Sequence, residues 1–148
     1  MVKVKICGIR TPQGARAAQR AGADFVGLNF VEWSARRVTI EQAIDIACIV
    51  PPAQVVGVFF DASIEEIREV AANTGFEWVQ LHGKQSPAFV AELSHRFRII
   101  KAFRVDEHVH EIDFSAYSRD VDAFLLDAAQ PGSGRTFDWS CIESLDLD

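Results

Sequence analysis

Two residues far apart in the chain have the chemistry to move protons: Cys7, where a strand-like run opens into a glycine, and Asp127, where a second apolar run stops at a carboxylate. Val2, Val4 and Ile6 alternate with Lys3, Lys5 and Cys7, so a regular buried strand puts Lys5 and Cys7 on one face. Strand ends that open into turns are where parallel α/β folds gather their chemistry. A free cysteine is also a small hydrophobe, and Cys7 taken alone reads that way. Other polar residues closing apolar runs are Asn29, Asp61, His82 and Arg104. His82 suits a hydrogen bond to loop backbone as well as it suits a ligand, and Asp61 and Arg104 read as loop residues. Arg36 and Arg37 read as a solvated pair, although one guanidinium at the mouth would fit a carboxylate or a phosphate. Gly132-Ser-Gly134 lacks the G-x-x-x-x-G-K-[ST] spacing of a phosphate-cradling loop and reads as a plain glycine-containing connection.

Elements that would bring these residues together recur along the chain. Thr11-Pro12 starts a helix that ends at Gly22, Thr39 with Gln42 and Ser63 with Glu66 make capping-box patterns, and Ser86-Pro87 opens a fourth helix. Pro51-Pro52 stops the second helix and Gly75 the third. Between them lie apolar runs at Phe25 to Phe30, Val55 to Phe60, Trp78 to Leu81, Arg98 to Phe103 and Val121 to Leu126. A weaker helix is expected from Asp106 to Tyr117, and Asp138 is expected to cap a short last one. In Ala21-Gly-Ala-Asp24, Asn73-Thr-Gly-Phe-Glu77 and Arg119-Asp-Val-Asp122 an acid precedes the next apolar run. Repeated βα units with right-handed crossovers imply a parallel sheet, either a closed barrel or an open doubly wound sheet.

At 148 residues, 49% hydrophobic and 24% charged, the chain reads as one globular domain. A net charge of −6 argues against nucleic acid or an anionic membrane surface as partner, while leaving room for small anions at local arginines. Cysteines at 7, 48 and 141 form no C-x-x-C pair and fit a reducing cytoplasm. The N-terminus shows no signal-peptide pattern, and the apolar run Val55 to Phe60 is too short to cross a bilayer. Four scattered histidines have no metal-ligand spacing.

Taken together, K-I-C-G-I at 5 to 9, A-G-A-D at 21 to 24, S-A-R-R-V at 34 to 38, V-G-V-F at 56 to 59, V-Q-L-H-G at 79 to 83, I-K-A at 100 to 102, and L-L-D with G-S-G-R-T-F-D-W at 125 to 139 resemble the phosphoribosylanthranilate isomerases of tryptophan biosynthesis. The resemblance implies a TIM-type (β/α)8 barrel over a single domain, 1–148, of which about six βα units are present and the last two are not. It implies an Amadori rearrangement of N-(5-phosphoribosyl)anthranilate, with Cys7 as general base, Asp127 as general acid, Arg36 anchoring substrate, and Gln80 and His82 binding it. Lys5 becomes a candidate for stabilising a Cys7 thiolate. No metal or organic cofactor is implied, the partner is a small phosphorylated substrate, and the enzyme is cytoplasmic. The alternative is an inactive fragment or small-ligand-binding remnant that needs a complementing chain. Unpaired strands at both ends of such a sheet are expected to drive self-association.

Overall fold

The computed structural model describes residues 2–51, 54–105, 109–128, 140–143 and 145. Six parallel strands lie in the order of the chain: β1 (Lys5–Cys7), β2 (Phe25–Asn29), β3 (Val55–Phe60), β4 (Trp78–His82), β5 (Arg98–Val105) and β6 (Ala123–Ala128). Helices α1 (Pro12–Arg20), α2 (Ile40–Ala47), α3 (Ile64–Thr74) and α4 (Pro87–Ser94) connect the first five strands, and α5 (Ser140–Glu143) follows β6. A doubly wound sheet reverses its strand order to put helices on both faces; a sequential order keeps every crossover on the same side. The sheet is therefore of barrel type, and the open alternative is excluded.

The helices begin where their caps dictate. Thr39 and Ser63 each accept the backbone N–H three residues on, and Gln42 and Glu66 return the bond, so both capping boxes form. Thr11 and Ser86 cap helices with proline in the first turn. Gly75 ends α3 at φ 72°, a left-handed conformation that glycine adopts without steric cost. The second helix stops at Ala47, before the proline pair expected to stop it.

Alternation divides each strand between two cores. Val26, Leu28, Phe59, Val79, Leu81 and Ile99 pack outward against the helices, while Val56, Val58, Trp78 and Ile100 form an inner cluster with Phe25, Cys7 and Leu125 at its border. Two acids that precede strands clip the neighbouring strand at its N-terminal end. Asp24 accepts the Val4 N–H at 2.8 Å and the Lys3 ammonium at 2.9 Å, and Asp122 accepts the Ile99 N–H at 2.8 Å and the Arg98 Nε–H at 2.9 Å. The hydrogen bond from Lys3 holds the Asp24 carboxyl below its usual range.

Three expectations need correction. Val2, Val4 and Ile6 are 86, 46 and 40% exposed, so the apolar face of the first strand is not buried; no described helix covers it. The helix expected from Asp106 to Tyr117 is two short 3₁₀ turns in its described part, Val109–Glu111 and Phe114–Ala116. Asp113 starts the second by accepting the Ala116 N–H, a local side-chain bond that competes with a continuous helix. Finally, β5 runs on to Val105 and β6 starts at Ala123 and runs on to Ala128, so Arg104 lies inside a strand rather than in a loop and pairs in register with Asp127, one residue short of the end of β6. The Gly132-Ser-Gly134 segment and Asp138 fall outside the described residues.

Asp122→Ala removes the acceptor of the buried Ile99 N–H and should cost about 1–3 kcal/mol of stability, the range for a backbone donor left unsatisfied. Urea denaturation measures it, and a change below about 0.5 kcal/mol would show the clip to be dispensable.

Candidate functional site

The inward face of the strand ends carries the polar residues. Cys7 stands opposite Gly27 in the ladder, and a Cβ on Gly27 would lie 3.0 Å from the Cys7 Sγ, so the glycine leaves room for the thiol. Cys7 is half-buried. By alternation from Leu125 of the inner cluster, Asp127 shares this face at the far edge of the described sheet, directly opposite Arg104 in register.

Arg36 is brought to the mouth by its own loop. Asn29, at the end of β2, accepts the Val31 N–H at 2.8 Å and donates to the Ser34 hydroxyl at 3.1 Å; that hydroxyl accepts the Arg36 N–H at 3.2 Å. The guanidinium then donates to the carbonyl of Cys7 at 3.2 Å and lies across Gly8, where a Cβ would come within 2.6 Å of the arginine Cδ. Gly8 also has φ 84°, so this position is closed to other residues on two counts. Arg37 goes elsewhere. With Arg10, Glu66 and Glu69 it borders a depression of about 630 Å³ on the helix side of the sheet, away from Cys7.

Across the interior runs a polar chain that sequence reasoning did not foresee. The Lys5 ammonium of β1 donates to Gln80 Oε1 of β4 at 2.6 Å, and the Gln80 amide nitrogen meets the His82 Nε2. Lys5, read as a partner for Cys7, shares its face but places its ammonium on Gln80. Burial holds the His82 imidazole below its ordinary range; Asp127 pulls it back up, and Lys101, Lys5 and Arg104 push it further down. Burial therefore favours the neutral form of the His82 ring, set among charges of both signs.

Other residues that the sequence did not single out lie just behind the mouth: Lys101 and Gln85, both buried, and Tyr117. A lysine inside the run R-I-I-K-A-F was the available signal, since burying an ammonium in a strand requires a dedicated set of partners. Among the described residues no group of three or more His, Cys, Asp or Glu side chains could hold a metal ion. None of the described helices is long and apolar enough to cross a membrane.

The strand ends thus offer a thiol, a carboxyl, a guanidinium and a neutral imidazole on one side of a parallel sheet, a set suited to proton transfer on a small anionic molecule. A family model described as N-(5'phosphoribosyl)anthranilate (PRA) isomerase matches residues 4–148. The chain is 43% identical over 144 residues to the N-(5'-phosphoribosyl)anthranilate isomerase of Pelobacter propionicus, covering 94% of this chain and 67% of the relative. Its backbone is similar to that of the phosphoribosyl anthranilate isomerase of Thermotoga maritima, with a TM-score of 0.85 at 38% identity over 96% of this chain and 70% of that one. A further phosphoribosyl anthranilate isomerase, solved in complex with reduced 1-(o-carboxyphenylamino)-1-deoxyribulose 5-phosphate, gives a TM-score of 0.82 at 35% identity, over 97% of this chain and 69% of that one.

Titration of the His82 ring protons by NMR should give a pKa below the ordinary 6.5, and Asp127→Asn should lower it further, because the charge that favours the imidazolium is lost. An increase in that variant would mean that Asp127 and His82 do not face one another.

Proposed function

This chain belongs to the N-(5'-phosphoribosyl)anthranilate isomerase family of tryptophan biosynthesis, and we propose that Cys7 and Asp127 carry the two proton transfers of the family's Amadori rearrangement. The observation that supports this reading is the approach of the Arg36 guanidinium to the Cys7 carbonyl, which sets an anion-binding group beside the strand-end thiol. The substrate is an N-ribosyl anthranilate carrying a carboxylate and a phosphate. Arg36 takes the carboxylate, a planar anion matched by the planar guanidinium fork.

In the reaction, Asp127 in its acid form gives a proton to the furanose oxygen as the C1–O bond breaks, and the nitrogen lone pair forms the C1=N double bond. Cys7 as thiolate then takes the proton from C2. The electrons left there form a C1=C2 double bond while the C1=N pair returns to nitrogen, giving an enolamine that becomes the ketose by losing its C2 hydroxyl proton and taking a proton at C1. Up to the enolamine, acid and base each act once, on different atoms, and because C1 and C2 exchange oxidation level within one molecule no redox partner enters the balance. His82, neutral and hydrogen-bonded to Gln80, suits binding of sugar hydroxyls, and the Lys5–Gln80 bond fixes the amide that orients it. The site is proposed to work without a cofactor, in the cytoplasm, on a small phosphorylated substrate; the net charge of −6 disfavours nucleic acid.

A second proposal concerns association. β1 and β6 are the edges of the described sheet, and Ile6 on β1 and Val4 just before it are exposed. An edge with open main-chain groups and apolar side chains pairs readily with another chain, so copies of this chain are proposed to associate there.

Loss of substrate fluorescence follows the reaction. Cys7→Ala and Asp127→Asn should each lower kcat by ~10² or more with little change in KM. Arg36→Lys should raise KM, and Arg37→Lys should leave both constants alone. An unchanged kcat in either proton-transfer variant removes that residue from the mechanism; a wild-type chain that binds substrate without turning it over favours a binding module. In light scattering, the 16.4 kDa chain should give a larger apparent mass that Ile6→Lys reduces, and a monodisperse monomer would defeat the proposal of association.

A further inference from the structure

Behind the mouth, side chains from three segments converge on the four residues that follow Leu81, and none of them takes part in the proton transfers above. Lys101 lies in β5 on the helix-facing side, sharing that side with Ile99 and Phe103, and is 1% exposed. Its ammonium donates to the carbonyls of Gly83 at 2.9 Å and Ala102 at 3.2 Å and stands 4.7 Å from the centre of the Phe103 ring. Asp61, just past β3 at φ 46°, accepts the Lys84 N–H at 2.7 Å and the Gln85 Nε2 at 3.5 Å. The Gln85 amide also donates to the His82 carbonyl at 2.8 Å, and the Tyr117 hydroxyl donates to the Gln85 carbonyl at 3.0 Å. The turn fits the carboxylate so closely that a Cβ on Gly83, at φ 111°, would come 2.0 Å from Asp61 Oδ1.

Such a knot is costly to build. Burial pushes the Lys101 ammonium down to about 8 from 10.5, so at neutral pH its charge destabilises the fold, and stability from this group rises as pH climbs from about 8 towards 10.5. An apolar side chain of the same length would fill the space without that cost. What the ammonium provides instead is a fixed position for the Gly83 carbonyl, one residue beyond the ring that meets Gln80 and feels the Asp127 charge. Asp61 fixes the next amide on the same turn.

We propose that Lys101 is a positioning residue: gripping Gly83 from behind the sheet, together with the Asp61 and Tyr117 contacts to the same turn, it holds the β4–α4 connection so that the His82 ring stays against Gln80 and in front of Asp127. The effect on catalysis rests on the reading of His82 as a substrate-binding group, while the effect on the ring itself does not.

Lys101→Met keeps length and apolar contact and removes only the charge and its hydrogen bonds. With the variant still folded by circular dichroism, exchange of the Lys84 amide should rise at least tenfold, the His82 ring resonances should move, and kcat should fall about tenfold with KM changed less than threefold. Tyr117→Phe, which removes a single hydroxyl at the margin of the knot, should move the same resonances less and in the same direction; it decides the matter if the methionine variant does not fold. Unchanged ring resonances and Lys84 exchange overturn the clamp whatever the assay gives. Displaced resonances with normal kcat retain the clamp and overturn instead the assignment of His82 to the isomerase site.

Discussion

The structure depends on one constraint of direction. Parallel strands in sequential order, each returned by a crossover on the same side, give the sheet one face covered by helices and another that must bury itself by curling. Every strand then delivers its last residues to the same end. Cys7, Asn29, His82 and Asp127, spread over more than a hundred residues of chain, come to the same end of the sheet for that reason and not because of any local motif. The same constraint sends the acids that precede strands, Asp24 and Asp122, to the opposite end, where they clip backbone. The residues proposed for chemistry and those that clip backbone thereby fall at different ends of the strands.

Much of this was legible in the sequence because the signals are local. Capping pairs and helix-stopping glycine act within a turn of the chain, and Thr39 with Gln42 or Ser63 with Glu66 form the bonds that their spacing predicts. Strand interiors such as V-V-G-V-F-F are unambiguous for a similar reason, since a continuous apolar run between two capped helices has few alternatives. Strand ends were less legible. Arg104 looks like a loop residue because it is charged, but it pairs with Asp127 and the ladder between β5 and β6 runs one residue past both.

What stayed hidden is what depends on two distant partners at once. Nothing in K-V-K-I-C reveals that Lys5 will reach across to Gln80, because the partner is 75 residues away and the contact exists only once the sheet curves. The segment from Asp106 to Tyr117 failed in the opposite way: Asp113 satisfies the Ala116 amide locally, and an aromatic cluster of Phe103, Phe114 and Phe124 then fixes the turn without a helix. Helical spacing in such a stretch is outweighed by one short-range bond and by packing. The family resemblance could supply roles for residues, but the arrangement that carries Arg36 to Cys7 by way of Asn29 and Ser34 became visible only in three dimensions.

The sequential order of strands also bears on how the chain reaches this state. Each strand pairs with the one made immediately before it, from β1 with β2 up to β5 with β6, so within the described sheet no strand waits for a partner synthesised much later. Loop-closure entropy is met in small instalments of one crossover each. During synthesis, which proceeds from the N-terminus, the sheet can therefore grow at its newest edge, adding a strand and its covering helix together. The barrel-type sheet is in this sense assembled in the order in which it is read.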